Sequence, residues 1–436
     1  MRASLPHKRI SAGLAGIALL AACSTSPTTE STSSPASPPP PATTPQAAAG
    51  LAPATVQVPD GMTDAPFDQS REALIPQGWS MSVWARVPEA RLARWTPDGA
   101  LLISLPDTGQ IVTLQPGDGE PRQTVLLENL EQPHGMAFAG STLYVAQSNQ
   151  IDAYDYVDGA AVNRRTVAGD LPDAKSPDLR GAYAHALKSV AVGPDGAVYF
   201  SIGSTGNVSA EDREASPPRA SIMRVPPGGG PAAPFATGVR NGTGLAIAPD
   251  GSVWTAVNGR DNVLDPATGR VEPDYVGDHP PEQLARLTPG RELGWPYCNI
   301  DGGPGDVPFI RDVQTNADGS KLDCAALAPV EQSFGAHSAP LGLSFVDGAL
   351  PAPYAQGALV GIHGSWNRQP PRAPEVSFYP WNGGDLGDQQ TLVGGFQDEN
   401  GARWGRPVDA VTGPDGAVYI TDDDAGAVYR LAPPGR

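Results

Sequence analysis

The apolar residues of this chain come in short runs, and the same punctuation introduces run after run. Thr96-Pro97-Asp98-Gly99 leads into Ala100-Leu101-Leu102-Ile103, Gly193-Pro194-Asp195-Gly196 into Ala197-Val198-Tyr199-Phe200, Ala248-Pro249-Asp250-Gly251 into Ser252-Val253-Trp254-Thr255, and Gly413-Pro414-Asp415-Gly416 into Ala417-Val418-Tyr419-Ile420. Asp-Gly supplies the positive φ angles of a tight turn, and a run of β-formers after it reads as the second strand of a hairpin. Shorter copies stand at Ala139-Gly140-Ser141-Thr142-Leu143-Tyr144-Val145-Ala146 and at Val346-Asp347-Gly348, the latter leading to Gly357-Ala358-Leu359-Val360-Gly361-Ile362. Six such units at intervals of roughly 45 to 95 residues, with almost no helical periodicity between them, predict an all-β chain: a six-bladed β-propeller of four-stranded antiparallel blades. A two-sheet sandwich fits this spacing poorly. The wide gap between Asp250 and Asp347 predicts an insertion. A propeller protects its edges by joining its ends, so the strand around Ser80 to Val87 is expected to pair with the last blade near Ala417 to Leu431.

The N-terminal pattern is different. Arg2, Lys8 and Arg9 precede an apolar run from Ile10 to Ala22, the charged and hydrophobic regions of a secretory signal. The run is too short to cross a bilayer core of about 30 Å as a helix. Leu20-Ala21-Ala22-Cys23 resembles a lipobox, which makes Cys23 the expected lipidation site. Ser24 to about Pro53 is almost wholly Ser, Thr, Pro, Ala and Gln, a composition that cannot bury a core. The expected division is therefore a signal over residues 1–22, a lipidated tether over 23–53 and a folded domain over 54–436. That protein would be extracytoplasmic and held at a membrane through its lipid alone.

Formal charge is −18, and loss of the three signal cations deepens it. Such a surface disfavours nucleic-acid binding, which needs cations to neutralise phosphates. Three cysteines occur, and once Cys23 is acylated only Cys298 and Cys324 remain. An isolated pair in an oxidising compartment suggests one disulfide.

Candidate chemistry rests first on the histidines, of which there are six. His134, His185, His337 and His363 lie in short polar or Gly-rich stretches beside expected strands, whereas His279, in Asp278-His279-Pro280-Pro281, reads as a surface loop. Strand ends in a propeller converge on the channel mouth, where side chains distant in sequence line one pocket. Arg240 and Asn241, Ser204 and Asn207, Trp366 and Arg368, and Arg406 are expected there. Arginine forks suit carboxylates, tryptophan offers a flat face, and Asn or Ser hydrogen-bonds hydroxyls, a mixture suited to a flat polyanion or a polyol.

Several segments carry a specific resemblance. Gln132-Pro133-His134-Gly135-Met136-Ala137-Phe138, Gly238-Val239-Arg240-Asn241, Gly294-Trp295-Pro296-Tyr297-Cys298, Ala336-His337-Ser338-Ala339-Pro340-Leu341-Gly342, His363-Gly364-Ser365-Trp366-Asn367-Arg368 and Trp404-Gly405-Arg406-Pro407-Val408 resemble the glucose/sorbosone dehydrogenase family, in motif order, from about Gly78 to Leu431. The sorbosone-dehydrogenase-like branch is the most similar. The resemblance implies a six-bladed propeller that oxidises C1 of an aldose or related sugar aldehyde, with pyrroloquinoline quinone (PQQ) and calcium as cofactors. It implies His185 as general base and Arg240 as the cation that meets developing negative charge. It further implies His134, Asn241, His363, Trp366, Arg368 and Arg406 as cofactor contacts, and Ser204, Asn207 and His337 as substrate contacts. Backbone carbonyls of Gly259 and Arg260 would contribute to the calcium site. Electrons would pass to a membrane quinone or a carrier protein. The sequence departs from the family pattern at His363, where a lysine is expected, at Trp404, where an arginine is expected, and at Ser204, where an acidic partner for His185 is expected.

A non-catalytic envelope propeller that binds glycans or a protein partner is the alternative reading. A lactonase-type hydrolase would need a metal site built from side-chain carboxylates, and no inward-facing cluster can be read from the sequence.

Overall fold

The computed structural model describes residues 50–436 apart from Arg180 and Pro304. The signal, Cys23 and nearly all of the expected tether lie outside the described residues. Six sheets, each built on four antiparallel strands and one of them extended by a fifth, make the bulk of the structure. Blade 1 covers residues 93–127, blade 2 136–168, blade 3 190–237, blade 4 244–334, blade 5 340–393 and blade 6 407–432. The first strand of each blade touches the first strand of the next, and that of blade 6 touches that of blade 1, which closes a six-bladed β-propeller.

Every turn motif read from the sequence falls between the first and second strand of a blade. Asp98-Gly99 separates Ala93–Trp95 from Leu101–Leu105, and Asp415-Gly416 separates Pro407–Thr412 from Val418–Asp422. The second strands are almost fully buried, as in Leu101–Leu105, Val198–Ile202 and Val253–Val257. They pack on both faces against neighbouring blades, which explains their continuous rather than alternating apolar pattern. Inner strands crowd the axis, and glycine permits the closest approaches. A Cβ on Gly135 would lie 2.6 Å from Ser189 Cα, and one on Gly361 would lie 2.2 Å from the Val408 carbonyl oxygen.

The ring closes where the sequence places the joint. Ser80–Arg86 pairs antiparallel with Ala427–Ala432 as the outer strand of blade 6. Met81, Val83, Ile420, Tyr429 and Leu431 then share one core. Beyond the ring, Leu51–Thr55 pairs with Glu72–Pro76. Residues 51–53, assigned to the tether on composition, therefore belong to the folded part. An Ala/Pro segment with weak strand preference becomes a strand because a partner supplies the ladder, and Pro is tolerated on an edge.

The expected insertion interrupts blade 4. It holds a short helix, Pro273–Asp278, a hairpin of Cys298–Ile300 with Phe309–Arg311, and Arg291–Glu292, which adds in parallel to the outer edge of blade 3. Cys298 and Cys324 form a disulfide with Cα atoms 5.7 Å apart. No helix among the described residues is long and apolar enough to cross a membrane.

Closure by a strand hundreds of residues away makes a direct prediction. Met81→Ala should cost about 2–5 kcal/mol and lower the thermal midpoint as much as Ile420→Ala, since both side chains are fully buried in the same core. Melting curves for the two variants check this, and an unaffected Met81→Ala midpoint would show that the joint melts separately.

Candidate active site

In an antiparallel blade the inner strand begins at the end where the second strand finishes. Loops entering the inner strands and loops between second and third strands therefore share one face of the ring, and the Asp-Gly turns lie on the other. Every candidate side chain comes from the first two loop classes. Arg91, His134, His185, Arg240, His337 and Arg406 precede the inner strands of blades 1 to 6, while Ser204, Arg260, His363 and Asp423 follow second strands. At the opposite mouth, a cavity of about 370 Å³ lined by two residues of each inner strand carries Arg94 as its only charged residue.

His185 is oriented at one nitrogen. Its Nδ1 lies 3.0 Å from the Ser204 carbonyl oxygen and 2.9 Å from Ser204 Oγ. The Ser204 hydroxyl donates to the Gly206 carbonyl at 2.7 Å, so both atoms facing Nδ1 accept. That assigns the proton to Nδ1 and leaves the Nε2 lone pair as the basic atom. Ser204 thus orients the ring where the family pattern leads one to expect a carboxylate. Burial and the nearby Arg240 charge lower the His185 pKa to about 4.

The negative charge of the site sits one loop away, on Asp261. Arg240 approaches Asp261 Oδ2 at 3.4 Å and Asn207 Oδ1 at 3.1 Å, and Asn207 is held in turn by the Asp261 backbone. Asn367 donates to Asp261 Oδ1 at 3.1 Å, and His337 Nδ1 lies 3.6 Å from the same oxygen. His337 Nε2 faces the Val276 carbonyl at 2.7 Å, and its backbone has φ +59°, a region disfavoured for non-glycine residues. Burial opposes charge on this imidazole, but Asp261, the Val276 carbonyl and Glu282 outweigh it, and the His337 pKa is raised. Glu282, buried behind this cluster, accepts from Ala339 N at 2.6 Å and Gly259 N at 3.2 Å, and burial pushes its pKa up to about 7.

A second group lies across the closure seam. Asp423 binds His363 Nε2 at 2.7 Å and Arg91 at 2.6 Å, while Arg406 donates to the His363 carbonyl at 2.9 Å. His134 is fully buried, with Nδ1 3.3 Å from the Lys188 carbonyl and Nε2 without a hydrogen-bond partner. Burial and the Arg91 charge lower its pKa to about 3, so it is a neutral imidazole. Lys188 is buried behind it, its ammonium bonded to the Pro172 and Ala186 carbonyls at 2.8 and 3.1 Å, which ties down the backbone beside His185.

The remaining candidates divide. The carbonyl of Asn241 accepts from Asn258 N at 2.9 Å, linking the Arg240 loop to the Gly259–Arg260 segment. The Arg260 side chain turns away into a buried ion pair with Asp312, so only its backbone is left for a cation. Trp366 is 73% exposed, and Arg368 reaches outward to Asp278 at 3.2 Å. Both are rim residues rather than members of the central cluster. Trp404 belongs to the core, packed edge-to-face against Phe67 and Tyr429 and tilted against Phe396. Sequence reasoning missed Arg91, Asp423, Glu282 and Asn367 as partners. Asp261 follows the Gly259–Arg260 segment, but nothing in the sequence placed it opposite Arg240.

A family model described as TrAA12-like matches residues 73–433. The chain belongs to the TrAA12-like family. Among curated relatives, a pyrroloquinoline quinone-dependent pyranose dehydrogenase of Coprinopsis cinerea is 23% identical over 395 residues, 76% of this chain and 51% of that protein. An uncharacterised protein of Borreliella burgdorferi is 27% identical over 202 residues, 45% of this chain and 48% of that one. The chain thus spans about half the length of the curated relatives it matches. The fold of this TrAA12-like protein is shared with the holo PQQ domain of Coprinopsis cinerea pyranose dehydrogenase, at TM-score 0.71, 19% identity and coverage of 86% and 100%. A PQQ-bound aldose sugar dehydrogenase of Streptomyces coelicolor aligns at TM-score 0.54, 16% identity and coverage of 82% and 99%. The resemblance drawn from the motifs is borne out.

The Asp261 cluster makes a spectroscopic prediction. The His337–Asp261 pair stabilises the fold between the depressed Asp261 pKa and the raised His337 pKa, and is lost as pH rises through the latter. In Asp261→Asn the His337 imidazole should titrate at lower pH than in the native protein, read by imidazole NMR. An unchanged His337 pKa would contradict the pairing.

Proposed function

We propose that this TrAA12-like protein is a PQQ-dependent sugar dehydrogenase that oxidises C1 of an aldose or related sugar aldehyde, with His185 as general base. The observation that carries the reading is the His185 geometry: a neutral imidazole fixed through Nδ1, its Nε2 lone pair free, beside a buried arginine.

The residues present fit the cofactor. A tricarboxylate needs cations, and Arg91, Arg240 and Arg406 gather on one face with His363 among them. The unpartnered Nε2 of buried His134 and Nε of Arg91 are polar atoms with capacity for a ligand. Arg406, Arg91 and His363 would hold carboxylates and Arg240 the quinone side. Carbonyls of Gly259 and Arg260 would hold calcium, since that segment is anchored through Gly259 N and the Arg260 side chain. When bound, PQQ supplies a two-electron acceptor and calcium polarises it.

The chain's own part is the proton. Oxidation of a cyclic hemiacetal to a lactone releases one hydride equivalent and one proton, and His185 Nε2 takes the proton from the C1 hydroxyl. As the ring charges, Nδ1–H keeps both Ser204 acceptors, so no reorientation is needed. Arg240 offsets negative charge developing on oxygen, and Asp261 and Asn207 hold its guanidinium in place.

We further propose that the protein is extracytoplasmic, lipidated at Cys23, and passes electrons to a membrane quinone or a carrier protein. Cys23→Ser should move it from the membrane fraction to the soluble fraction, and continued membrane association would contradict the anchor.

The deciding experiment titrates the metal-stripped protein with PQQ and Ca²⁺ and follows cofactor absorbance on adding aldoses. Stoichiometric binding with sugar-dependent reduction is expected. His185→Ala should keep binding but lose about 10²–10⁴-fold in kcat. In the native protein kcat/KM should rise with pH through about 4, where His185 loses its proton, and not through the ordinary imidazole range. Absence of binding at micromolar PQQ would overturn the proposal in favour of an envelope binding module.

A further inference from the structure

Trp366 is at odds with the other tryptophans. It is 73% exposed, whereas Trp254, Trp295 and Trp404 are buried in the core. An isolated exposed aromatic on a mobile loop would mean little, but this loop is pinned along its length. Gly364 N donates to Ser338 O at 2.9 Å, Ser365 N to Arg372 O at 3.2 Å, and Arg372 N back to Ser365 Oγ at 2.7 Å. Arg403 and Arg406 donate to the Ser365 and His363 carbonyls at 2.6 and 2.9 Å. The very next residue, Asn367, reaches Asp261 Oδ1 at 3.1 Å, which places the indole at the rim of the Arg240–Asp261 cluster. Two residues on, Arg368 lines a surface cavity of about 610 Å³, shared with Asp278, Ser333, Arg372, Asp388 and Gln389. Its size is that of a ligand cleft, and these side chains are donors and acceptors suited to hydroxyls.

We infer that Trp366 is a stacking platform for a second sugar ring, and that the substrate is the reducing end of an oligosaccharide rather than a free monosaccharide. The inference rests on the proposed sugar chemistry of the site. The axial C–H groups of a pyranose form an apolar face that covers an indole, and the exposed area of Trp366 is the surface such contact would remove from water. One ring is placed at His185 and Arg240, the next over Trp366, and further hydroxyls meet the donors and acceptors of the cleft beyond Arg368. A free monosaccharide reaches only the first of these positions.

The test needs no turnover. The full-length protein, with and without PQQ and Ca²⁺, is titrated calorimetrically with glucose and with cello-, malto-, xylo- and chitotetraose. At least one tetrasaccharide should bind more tightly than glucose. Trp366→Ala should weaken that tetrasaccharide roughly tenfold and leave glucose unchanged, and Trp366→Phe should restore most of the affinity. Equal affinity of Trp366→Ala and native protein for the tetrasaccharide overturns the inference, as does tetrasaccharide binding no tighter than glucose or none at all. Trp366-dependent binding without PQQ-dependent oxidation of any sugar would leave the platform standing and sink the dehydrogenase reading. Oxidation of glucose without a tetrasaccharide preference would do the reverse.

Discussion

The pairing of Ser80–Arg86 with Ala427–Ala432 turns six sheets into a closed ring, and the candidate site depends on that closure. Arg91 enters from blade 1 and Asp423 from blade 6, and their ion pair at 2.6 Å crosses the seam. Thr421 Oγ1 donates to the Arg91 carbonyl at 2.6 Å, and Arg86 to the Gly426 carbonyl at 3.2 Å, so the seam is bonded on both sides of the pair. Without closure, Arg91 would not meet His363 on Asp423. A sheet edge left open at this point would also offer unpaired backbone groups to other chains.

Closure and antiparallel order together separate stability from chemistry. The Asp-Gly turns, which specify the hairpins, lie on one face, and the loops that carry ionisable groups lie on the other. Those loops are tied to one another by polar contacts, within a blade from Ser204 to His185 and from Arg240 to Asp261, and across a blade boundary from Asp261 to Asn367 and from Glu282 to Ala339. Buried polar groups of this kind are costly unless paired, and most here are paired. Two atoms without a partner, His134 Nε2 and Arg91 Nε, lie on the face where a ligand would be received.

Much of the fold was legible because it is local. Pro-Asp-Gly before an apolar run needs no distant information to be read as a hairpin, and six repeats fix the blade number. The closing strand and the single disulfide followed from general constraints on edges and cysteines. The start of the folded part was misplaced because Leu51–Thr55 is a strand by virtue of its partner rather than of its own residues. In the site, the residues with recognisable neighbours were found, and the structure brings His185, Ser204, Asn207, Arg240 and His337 into one connected cluster. The partners that hold them were not found: Asp423, Arg91 and Glu282 are ordinary charged residues in sequence, and only the ring sets them against histidines and arginines. Trp366 and Arg368 were expected to contact the cofactor, and loop geometry sets them at the rim of the cluster, Trp366 exposed and Arg368 paired with Asp278.

The central claim is that the face bearing His185 and Arg240 receives PQQ. A crystal structure of the protein grown with PQQ and Ca²⁺ tests it most directly. Density for the tricyclic quinone in contact with Arg240, Arg406 and His134, with calcium at the Gly259–Arg260 backbone, is the predicted result. Density confined to the opposite mouth beside Arg94, or to the outer surface, would contradict the account.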